Sequence, residues 1–561
     1  MKKLILTALL IVCAAPGLRA QDDVESRAMR DEMKRSMKDL QLTGQEKPYY
    51  VAYKIVDSNR MEAQASFGAL TSSAETRTRV LSVTVRVGSY DFDNSNAPTS
   101  SMGMMDLLGS IMSSSVILPV DDNYDELRRK IWLATDSAYK RAVEDLSAKK
   151  AALANKNHDT ESVPSFSKEM ARQETETLPA VQIKMAALEQ TARAASAVFR
   201  TLRSGEHGSA EVEVMNSTER FLNSEGTTYV RQVPDVYFHA QASVQNATGE
   251  IFNDSVSEYG RSMSEFPDQA TLLKESQAVA DRLTERRKGH STKRYNGPVL
   301  VEGQASAELF ARNFAELLSA HRSNGGGSSA GLMALLAGPT ASLINKMGSR
   351  VLPEFLTVVD NPQITEADGH KLYGNYKFDE EGTPAQETVL VKDGILKTLL
   401  TSRTPARGML VSTGNMRERG VLPGNLFVST TKSSTVEELK AQLVELVKTR
   451  GLEYGVIVRR MAGNTALDAA RVYPDGHEEA LRDARVAEVN AGSFKDVLAV
   501  SKERTVFTER GTGSLLSGGL FGSADLISYV VPGMLFEDMT VEHVTNESPK
   551  LPVVASPLAA E

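Results

Sequence analysis

Two apolar runs on either side of an Asp-Gly pair decide how the second half of the chain folds. They are Thr388-Val389-Leu390-Val391 and Ile395-Leu396-Lys397-Thr398-Leu399-Leu400, with Asp393-Gly394 between them. β-branched and aliphatic residues favour strands, and Asp-Gly supplies the two positive-φ positions of a tight hairpin turn. This stretch therefore predicts a β-hairpin within a region built mainly from strands.

The region around this hairpin has the same character from about residue 296 to residue 546. It opens with a short strand, Val299–Val301, and a helical stretch from Ala305 to Arg322. A second candidate hairpin has its turn at Asp475-Gly476, and one helix is expected from Thr435 to Arg450. We therefore expect a β-rich C-terminal domain at 296–546 and a disordered Pro/Ala-rich tail at 547–561.

The first half combines long helices with strands, so the predicted fold class of the whole chain is α+β. Three period-2 segments, Tyr49–Val56, Met61–Phe67 and Leu81–Val87, predict an antiparallel meander near its start. Turn-forming residues between 289 and 298 put the main boundary near residue 295, which makes 21–295 an N-terminal α/β domain. Further strands are expected at 210–215, 227–233 and 237–243, and helices at 22–40, 121–155, 178–202 and 267–288.

A Ser/Met-rich insert at 98–115 and a glycine-rich loop at 324–342 interrupt these patterns. The insert contains Met102, Met104, Met105 and Met112. It is interpreted as a mobile loop. The alternative is an adaptable apolar lid over a peptide, because methionine side chains repack easily.

The first twenty residues have the pattern of a bacterial secretory signal peptide. Two lysines precede an apolar run from Leu4 to Ala15, and Leu18-Arg19-Ala20 resembles a cleavage site. We expect cleavage after Ala20 and a periplasmic or secreted protein. The alternative is an uncleaved anchor, for which the apolar run is short.

Composition and charge exclude several classes of protein. Of the 561 residues, 41% are hydrophobic and 24% are charged, which is ordinary for a chain that buries a large core. Removal of the signal peptide takes away Lys2, Lys3 and Arg19, so 61 of the 64 basic residues remain in the mature chain, which has 72 acidic residues. The resulting formal charge of −11 argues against a nucleic-acid partner. No later apolar run reaches about 18 residues, so no membrane insertion is expected.

The residue types that hold metals or act as nucleophiles are sparse. The single cysteine, Cys13, lies in the signal peptide, so the mature chain has none. Gly327-Ser328-Ser329-Ala330-Gly331 matches the G-x-S-x-G pattern, but the residues before it do not form the strand that a nucleophile elbow needs. Eight histidines are spread so widely that no two lie within ten residues of each other: His158, His207, His239, His290, His321, His370, His477 and His543. These patterns assign no catalytic, cofactor-binding or metal-binding residue.

Six short segments in the right order resemble the TldD/PmbA (TldD/TldE) family of metallopeptidase-related proteins. One segment, Asn223-Ser224-Glu225-Gly226-Thr227, lies in the first half and is similar to the signature of that family's N-terminal domain. The others lie in the second half and are Phe378-Asp379-Glu380-Glu381-Gly382-Thr383-Pro384, Val391-Lys392-Asp393-Gly394-Ile395-Leu396, Thr401-Ser402-Arg403, Thr413-Gly414-Asn415 and Pro423-Gly424-Asn425-Leu426-Phe427. The resemblance covers most of the mature chain and implies a TldD/PmbA-type C-terminal domain.

The resemblance also shows where this chain departs from the active members of the family. Those members carry His-Glu-x-x-x-His on an early helix of the C-terminal domain, and a later cysteine completes their zinc site. The matching helix here is expected at Glu308–Leu318, where the motif would fall on Ala311-Arg312-Asn313-Phe314-Ala315-Glu316. The two histidines, the glutamate and the cysteine are all replaced or missing, so no zinc cofactor is expected.

The chain therefore resembles the PmbA/TldE side of the family more closely. The resemblance implies a non-catalytic subunit that pairs with a zinc-bearing TldD-type homologue, or with itself, and that binds unfolded peptides as added strands. Two alternatives stay open. One is a divergent active peptidase with ligands drawn from Glu308, Glu316, His321 or His370, and the other is a standalone periplasmic peptide-binding or assembly factor.

Overall fold

The computed structural model describes residues 23–97, 115–154, 163–202, 205–247, 249–320, 322, 342–418, 420–510, 525–544 and 554. Helices account for 26% and strands for 42% of the structure, which confirms the α+β class. The helices are α1 (Val24–Asp39), α2 (Tyr124–Ala154), α3 (Met185–Ala197), α4 (Gln269–Arg286), α5 (Gly303–Asn313) and α6 (Val436–Thr449).

The strands form two large sheets that follow each other along the chain. Those of the first sheet are β1 (Pro48–Ser66), β2 (Ala69–Val87), β3 (Ser115–Ile117), β4 (Gln173–Thr177), β5 (Gly205–Asn223), β6 (Thr228–Gln245) and β7 (Ile251–Gly260). Those of the second half are β8 (Tyr295–Val301), β9 (Leu356–Asp360), β10 (Glu366–Ala367), β11 (His370–Lys371), β12 (Thr388–Lys392), β13 (Ile395–Leu396), β14 (Met416–Arg417), β15 (Gly420–Val421), β16 (Asn425–Thr430), β17 (Gly455–Ala462), β18 (Thr465–Val472), β19 (Glu478–Leu481), β20 (Ala484–Ala487), β21 (Val497–Arg510) and β22 (Leu526–His543).

The first sheet has the order β3-β2-β1-β5-β6-β4, and β7 pairs with the other half of β6. The predicted three-strand meander is wrong, because β1 runs unbroken from Pro48 to Ser66 and pairs along its length with β2. The polar residues near the middle of β1 have the sequence character of a turn. One of them, Asp57, instead forms an ion pair at 2.6 Å with Arg79 on β2. Cross-strand ion pairs of this kind keep polar residues within a strand.

One face of the first sheet is covered by helices. Alternate residues of β1 point to the same face, so Val51, Tyr53 and Ile55 pack against α1 and α2, while Ala63 and Ala65 join the core under α3 and α4. The opposite face carries polar and aromatic residues that turn toward the second half of the chain. This second face is therefore the one that meets the second sheet.

Part of the second sheet closes on itself. β8 pairs with both β17 and β22, and the path β22-β20-β18-β17-β8 therefore returns to its starting strand. β16, β9, β12 and β13 extend this closed part on one side. The predicted hairpin is confirmed as β12–β13, and its turn has positive φ at Asp393 (51°) and Gly394 (74°). The second predicted hairpin is confirmed as β18–β19.

The helix predicted from Ala305 to Arg322 is shorter in the structure. α5 ends at Asn313, and a 3₁₀ turn follows at Ala315–Leu318. The break lies at Phe314, whose backbone (φ −130°, ψ −51°) leaves helical values while its ring stays buried beside Phe310. The ring centroids of Phe310 and Phe314 lie 5.6 and 5.4 Å from that of Phe494. This places the end of α5 at the boundary between the core and the surface.

The two halves are joined through a buried ion network centred on Glu380. Its carboxylate accepts hydrogen bonds from Lys54 Nζ on β1 and Arg231 Nη1 on β6, both at 2.7 Å. Burial opposes ionisation, yet these two cations hold the pKa of Glu380 well below its usual range. Phe378 packs on Tyr229 beside this network, with ring centroids 4.7 Å apart.

A second buried pair joins the halves at the other signature segments. The guanidinium of Arg403 is fully buried and lies 2.7 Å from Glu225 Oε2 through Nη1. Tyr90 donates its hydroxyl proton to Glu225 Oε1 at 2.6 Å. The segments that carry the family resemblance, 223–227, 378–384 and 401–403, therefore meet each other across the boundary between the two halves.

Several sequence predictions fall on residues that the structure leaves undescribed. The insert (98–114 of it), most of the glycine-rich loop, the signal peptide and nearly all of the tail lie outside the described residues. The boundary near residue 295 coincides with the start of β8, but the domain limits stay a prediction. Among the described residues, no helix combines the length and the apolar character needed to cross a bilayer.

Replacing Glu380 with alanine should destabilise the protein strongly. The substitution removes the counter-ion that Lys54 and Arg231 share and leaves them with more distant carboxylates, Glu418 at 3.7 Å and Glu219 at 3.2 Å. The lost charged hydrogen bonds cost about 2 kcal/mol of the free energy of unfolding. Urea denaturation measures this loss. Glu354→Ala is the matched control, because Glu354 is exposed and its pair with Arg350 is loose, at 3.6 Å. A loss for Glu380→Ala no larger than that of the control would contradict the role given to the network.

Candidate functional site

A cleft with a volume of about 750 Å³ lies between the two sheets. One wall is the end of β7, Ser255–Tyr259, and the other is the end of β21, Val506–Arg510. α5 contributes the floor, and the β10–β11 hairpin lines the cleft with 369–371. Each half of the chain therefore supplies one wall of the same cavity.

Both walls are strand edges. Among the described residues, β7 pairs only with β6, and the part of β21 that lines the cleft, Val506–Arg510, pairs only with β22. Farther back on β21, Ser501 forms a bridge with Ser434. The backbone carbonyls of Asn253 and Ser255 point away from β6 and accept hydrogen bonds from Arg286 and Arg460, at 3.1 and 3.0 Å. Because outward and inward groups alternate in an antiparallel ladder, Ser257 and Tyr259 present their backbone groups on the same outer side. That part of the edge faces the cleft.

The floor of the cleft is a polar stripe on α5. Gln304, Glu308 and Arg312 are four residues apart and therefore lie on one face of the helix. Glu308 is buried and accepts hydrogen bonds from Arg312 Nε at 3.0 Å and from the backbone N–H of Gly463 at 2.7 Å. Gln304 Nε2 also donates to Glu308. The carboxylate is thus fully engaged in holding α5 to the β17–β18 turn.

The residues to which the sequence resemblance assigns the zinc site do not fit a zinc ion. Ala311 and Ala315 have no donor atom and are buried in the second core. Arg312 is a cation bonded to Glu308, and it would repel a metal at this face of the helix. Glu316 could offer only oxygen, and burial raises its pKa, although Arg312 opposes this. Zinc sites need several nitrogen or sulfur donors in one place, and this helix has none.

The scattered residues considered as substitute ligands do not form a metal group either. Glu308 and His370 line the same cleft, and His321 lies outside the described residues. Two groups of potential ligands converge in the described part of the chain, and neither contains these residues: Glu250, Asp483 and His543 form one, and Glu62, Glu211 and Glu213 form the other. Each already has an arginine beside it, since Arg482 Nε lies 3.4 Å from Glu250 and Arg60 Nη2 lies 2.6 Å from Glu213.

Two carboxyl groups of the cleft were missed by the sequence reasoning. Glu509 lies on β21, and burial raises its pKa to about 7. The neighbouring Glu308 and Glu316 add to this rise, while Arg312 and a hydrogen bond with Tyr529 oppose it. Glu258 lies on β7, where burial and Glu275 raise its pKa to about 7 as well. The only signal in the sequence is an acidic residue at the end of an apolar strand, such as Val506-Phe507-Thr508-Glu509.

Four aromatic residues also line the cleft. Tyr237, Tyr259, Tyr373 and Phe507 all line it. Arg510 lies over the ring of Tyr237, 3.9 Å from its centroid, and pairs with Asp235 at 3.0 Å. A cavity with aromatic walls and two strand edges is suited to an extended chain whose backbone can bond to an edge.

Comparison with known proteins identifies the C-terminal domain. Residues 292–543 match the family model described as the PmbA/TldA metallopeptidase C-terminal domain. This protein is similar to a metalloprotease of Methanocaldococcus jannaschii, with 42% identity over 78 residues that cover 14% of this chain and 16% of the relative. It is also similar to a metalloprotease TldD homolog of Buchnera aphidicola, with 31% identity over 127 residues that cover 22% of this chain and 24% of the relative. The chain thus matches less than a third of the length of these curated relatives.

Solved structures match over a much larger part of the chain. TldE from Thermococcus kodakarensis has a TM-score of 0.55 and 14% identity, covering 92% of this chain and 99% of that chain. A Thermotoga maritima protein, described as a candidate modulator of DNA gyrase, has a TM-score of 0.58 and 15% identity, with the same coverage. At such identities the likeness establishes the fold alone.

The two-sheet α+β fold and the C-terminal match define a metallopeptidase-related protein. The chain belongs to the TldD/PmbA family. The family membership expected from the six sequence segments is therefore confirmed.

Replacing Glu509 with glutamine should change how stability depends on pH. A carboxyl whose pKa is raised from 4.5 to about 7 keeps its proton in the folded state while the unfolded chain has lost it. Its contribution to stability therefore falls as the pH rises from about 4.5 to 7, and the cost is complete above 7. Glu509→Gln removes this cost, so the variant should gain roughly 1–3 kcal/mol relative to the wild type between pH 5 and pH 8.

Urea denaturation at both pH values measures this difference. Glu503→Gln is the matched control, because Glu503 is exposed on the same strand and does not line the cleft. A gain of the same size at pH 5 and pH 8 would show that Glu509 does not titrate in this range.

Proposed function

We propose that this protein is an exported, non-catalytic, TldE-like subunit that binds extended peptides and pairs with a zinc-bearing TldD-type peptidase. The observation that carries the proposal is the contrast on α5. The sequence segments that resemble the family are present in the chain, while this helix carries the bonded pair Glu308–Arg312 instead of metal ligands.

The shape of the cleft supports peptide as the ligand. An extended chain needs a row of backbone donors and acceptors, and the outer edges of β7 and β21 are strand edges of this kind. Hydrogen bonds to the peptide backbone do not depend on the side chains, so such an edge accepts many sequences. Pockets beside the edge add selectivity. The aromatic rings and carboxyl groups of the cleft would supply this selectivity.

The partner and the location are inferred from other observations. The likeness to TldE of Thermococcus kodakarensis and to a TldD homolog of Buchnera aphidicola supports a pair of unlike subunits, of which this chain would be the one without zinc. Self-association is the alternative. The pattern of the first twenty residues supports export to the periplasm or beyond.

A divergent active peptidase is the second candidate function. It is favoured by the presence of Glu308 and His370 in one cleft, together with two carboxyl groups whose pKa values are raised to about 7. Groups that titrate near neutral pH are suited to acid–base chemistry. Against it stands the engagement of Glu308 in three hydrogen bonds within the protein.

A proline at Ser257 tests whether the edge of β7 binds peptide. Proline removes an N–H that points away from β6, and edge strands tolerate it there because no ladder bond is lost. Ser257→Pro should weaken the binding of a fluorescein-labelled extended peptide by about three- to tenfold, the value of one hydrogen bond. Fluorescence anisotropy measures the affinity.

Ser257→Ala is the matched control for this experiment. It keeps the backbone N–H and removes only the hydroxyl, which lies 2.9 Å from His239 Nδ1. We expect wild-type affinity for Ser257→Ala and unchanged circular dichroism for both variants. Equal peptide binding by Ser257→Pro and Ser257→Ala would show that the peptide does not use this edge.

A metal and activity assay tests the non-catalytic role. The purified protein should hold no stoichiometric zinc by elemental analysis and should not cleave an unfolded peptide. Addition of a TldD-type homologue with intact His-Glu-x-x-x-His should produce cleavage that a chelator stops. Cleavage by this protein alone would favour the second candidate, and its loss in His370→Ala would then identify the cleft as the catalytic site.

A further inference from the structure

The cations of the cleft already have partners within the protein. Arg312 is bonded to Glu308, and Lys371 lies 3.2 Å from Glu366. Arg460 pairs with Asp254 and donates to the carbonyl of Ser255. Arg510 pairs with Asp235. These side chains therefore bring little free positive charge to a ligand.

Besides the exposed Glu265, two half-buried carboxyl groups of the cleft have no such partner. Among the described residues, neither Glu258 nor Glu509 has an ion pair, and both are half-buried. The charged groups nearest Glu509 are Glu308, Glu316 and Arg312, and the last of these is already bonded to Glu308. The charged group that faces Glu258 from α4 is another acid, Glu275.

These two carboxyls lie on different walls of the cleft. Glu258 lies on β7 between Ser257 and Tyr259, and Glu509 follows Thr508 on β21. Each of the two strands that form the walls thus carries one unpaired acid: Glu258 lies opposite Phe238 on the side of α4, and Glu509 lies on the side of α5. A residue opposite either acid on an added strand would place its side chain on the same face of the sheet, with Cβ atoms about 5 Å apart.

We propose that the cleft selects peptide segments that carry lysine or arginine, whose positive charges are received by Glu258 and Glu509. This inference rests on the proposed peptide-binding function and adds the class of peptide. A half-buried carboxylate without a counter-ion is unfavourable, and the ammonium or guanidinium of a cross-strand neighbour would remove that cost. A neutral or acidic peptide would leave it in place.

The raised pKa values supply an independent signature of this contact. Near pH 7 both carboxyls hold part of a proton. A bound cation favours the ionised form, so binding of a basic peptide should release protons to the buffer. A peptide that binds only through its backbone would not release them.

The test compares two peptides that differ only in charge. One is a fluorescein-labelled extended peptide with two lysines, and the other is the same peptide with both lysines acetylated. At pH 8 the wild-type protein should bind the lysine peptide about five- to tenfold more tightly, as expected for two cross-strand ion pairs that are partly buried. Calorimetry in two buffers of different ionisation enthalpy should show proton release at pH 7 with the lysine peptide alone.

The variants locate the effect within the cleft. Glu258→Gln combined with Glu509→Gln should bind both peptides with the affinity that the wild type has for the acetylated one. Glu503→Gln, outside the cleft on β21, should keep the wild-type preference. Because glutamine has the same shape, the acetylated peptide also reports that the double variant is folded.

The outcomes separate the inference from the function on which it rests. Equal affinity of the wild type for the two peptides, without proton release, overturns the selection for basic residues and leaves peptide binding intact. A preference that survives in the double variant overturns the assignment to Glu258 and Glu509. Failure of both peptides to bind the wild type contradicts peptide binding itself, and the inference with it.

Discussion

The buried contact between Glu380 and the two cations Lys54 and Arg231 is the constraint on which the rest of the structure depends. Lys54 and Arg231 belong to β1 and β6 of the first sheet, and Glu380 belongs to the second half of the chain. β6 continues from Arg231 to Tyr237, which lines the cleft. By fixing β6 against the second half, the network also fixes the distance between the two walls, β7 and β21.

This arrangement explains why segments that carry the family resemblance meet at the boundary between the two halves. Charges taken out of water are stable only when each finds its partner, so neither side of such a contact can change alone. Glu225 with Arg403 and Glu380 with its two cations are pairs of this kind. The α5 helix has no such constraint, since Glu308 and Arg312 satisfy each other on one helix.

Local signals in the sequence were sufficient for some elements and not for others. The β12–β13 hairpin was predicted because Asp393-Gly394 holds its turn chemistry within two residues. The continuity of β1 was missed because Asp57 is stabilised by Arg79, which lies on the next strand. Glu258 and Glu509 were missed because each is buried by segments distant in sequence. No pattern along β7 or β21 indicates that the two strands face each other.

The sequence by itself determined the fold class and the family, and it predicts that the zinc motif is absent, because these depend on residue types and on their order along the chain. Only the tertiary structure decided what surrounds α5, the helix to which the resemblance assigns the metal site. Burial, ion pairing and the exposure of a strand edge are properties of which segments pack together. The cleft is made by β7 and β21, which are separated by more than two hundred residues, and its acidic walls follow from that packing.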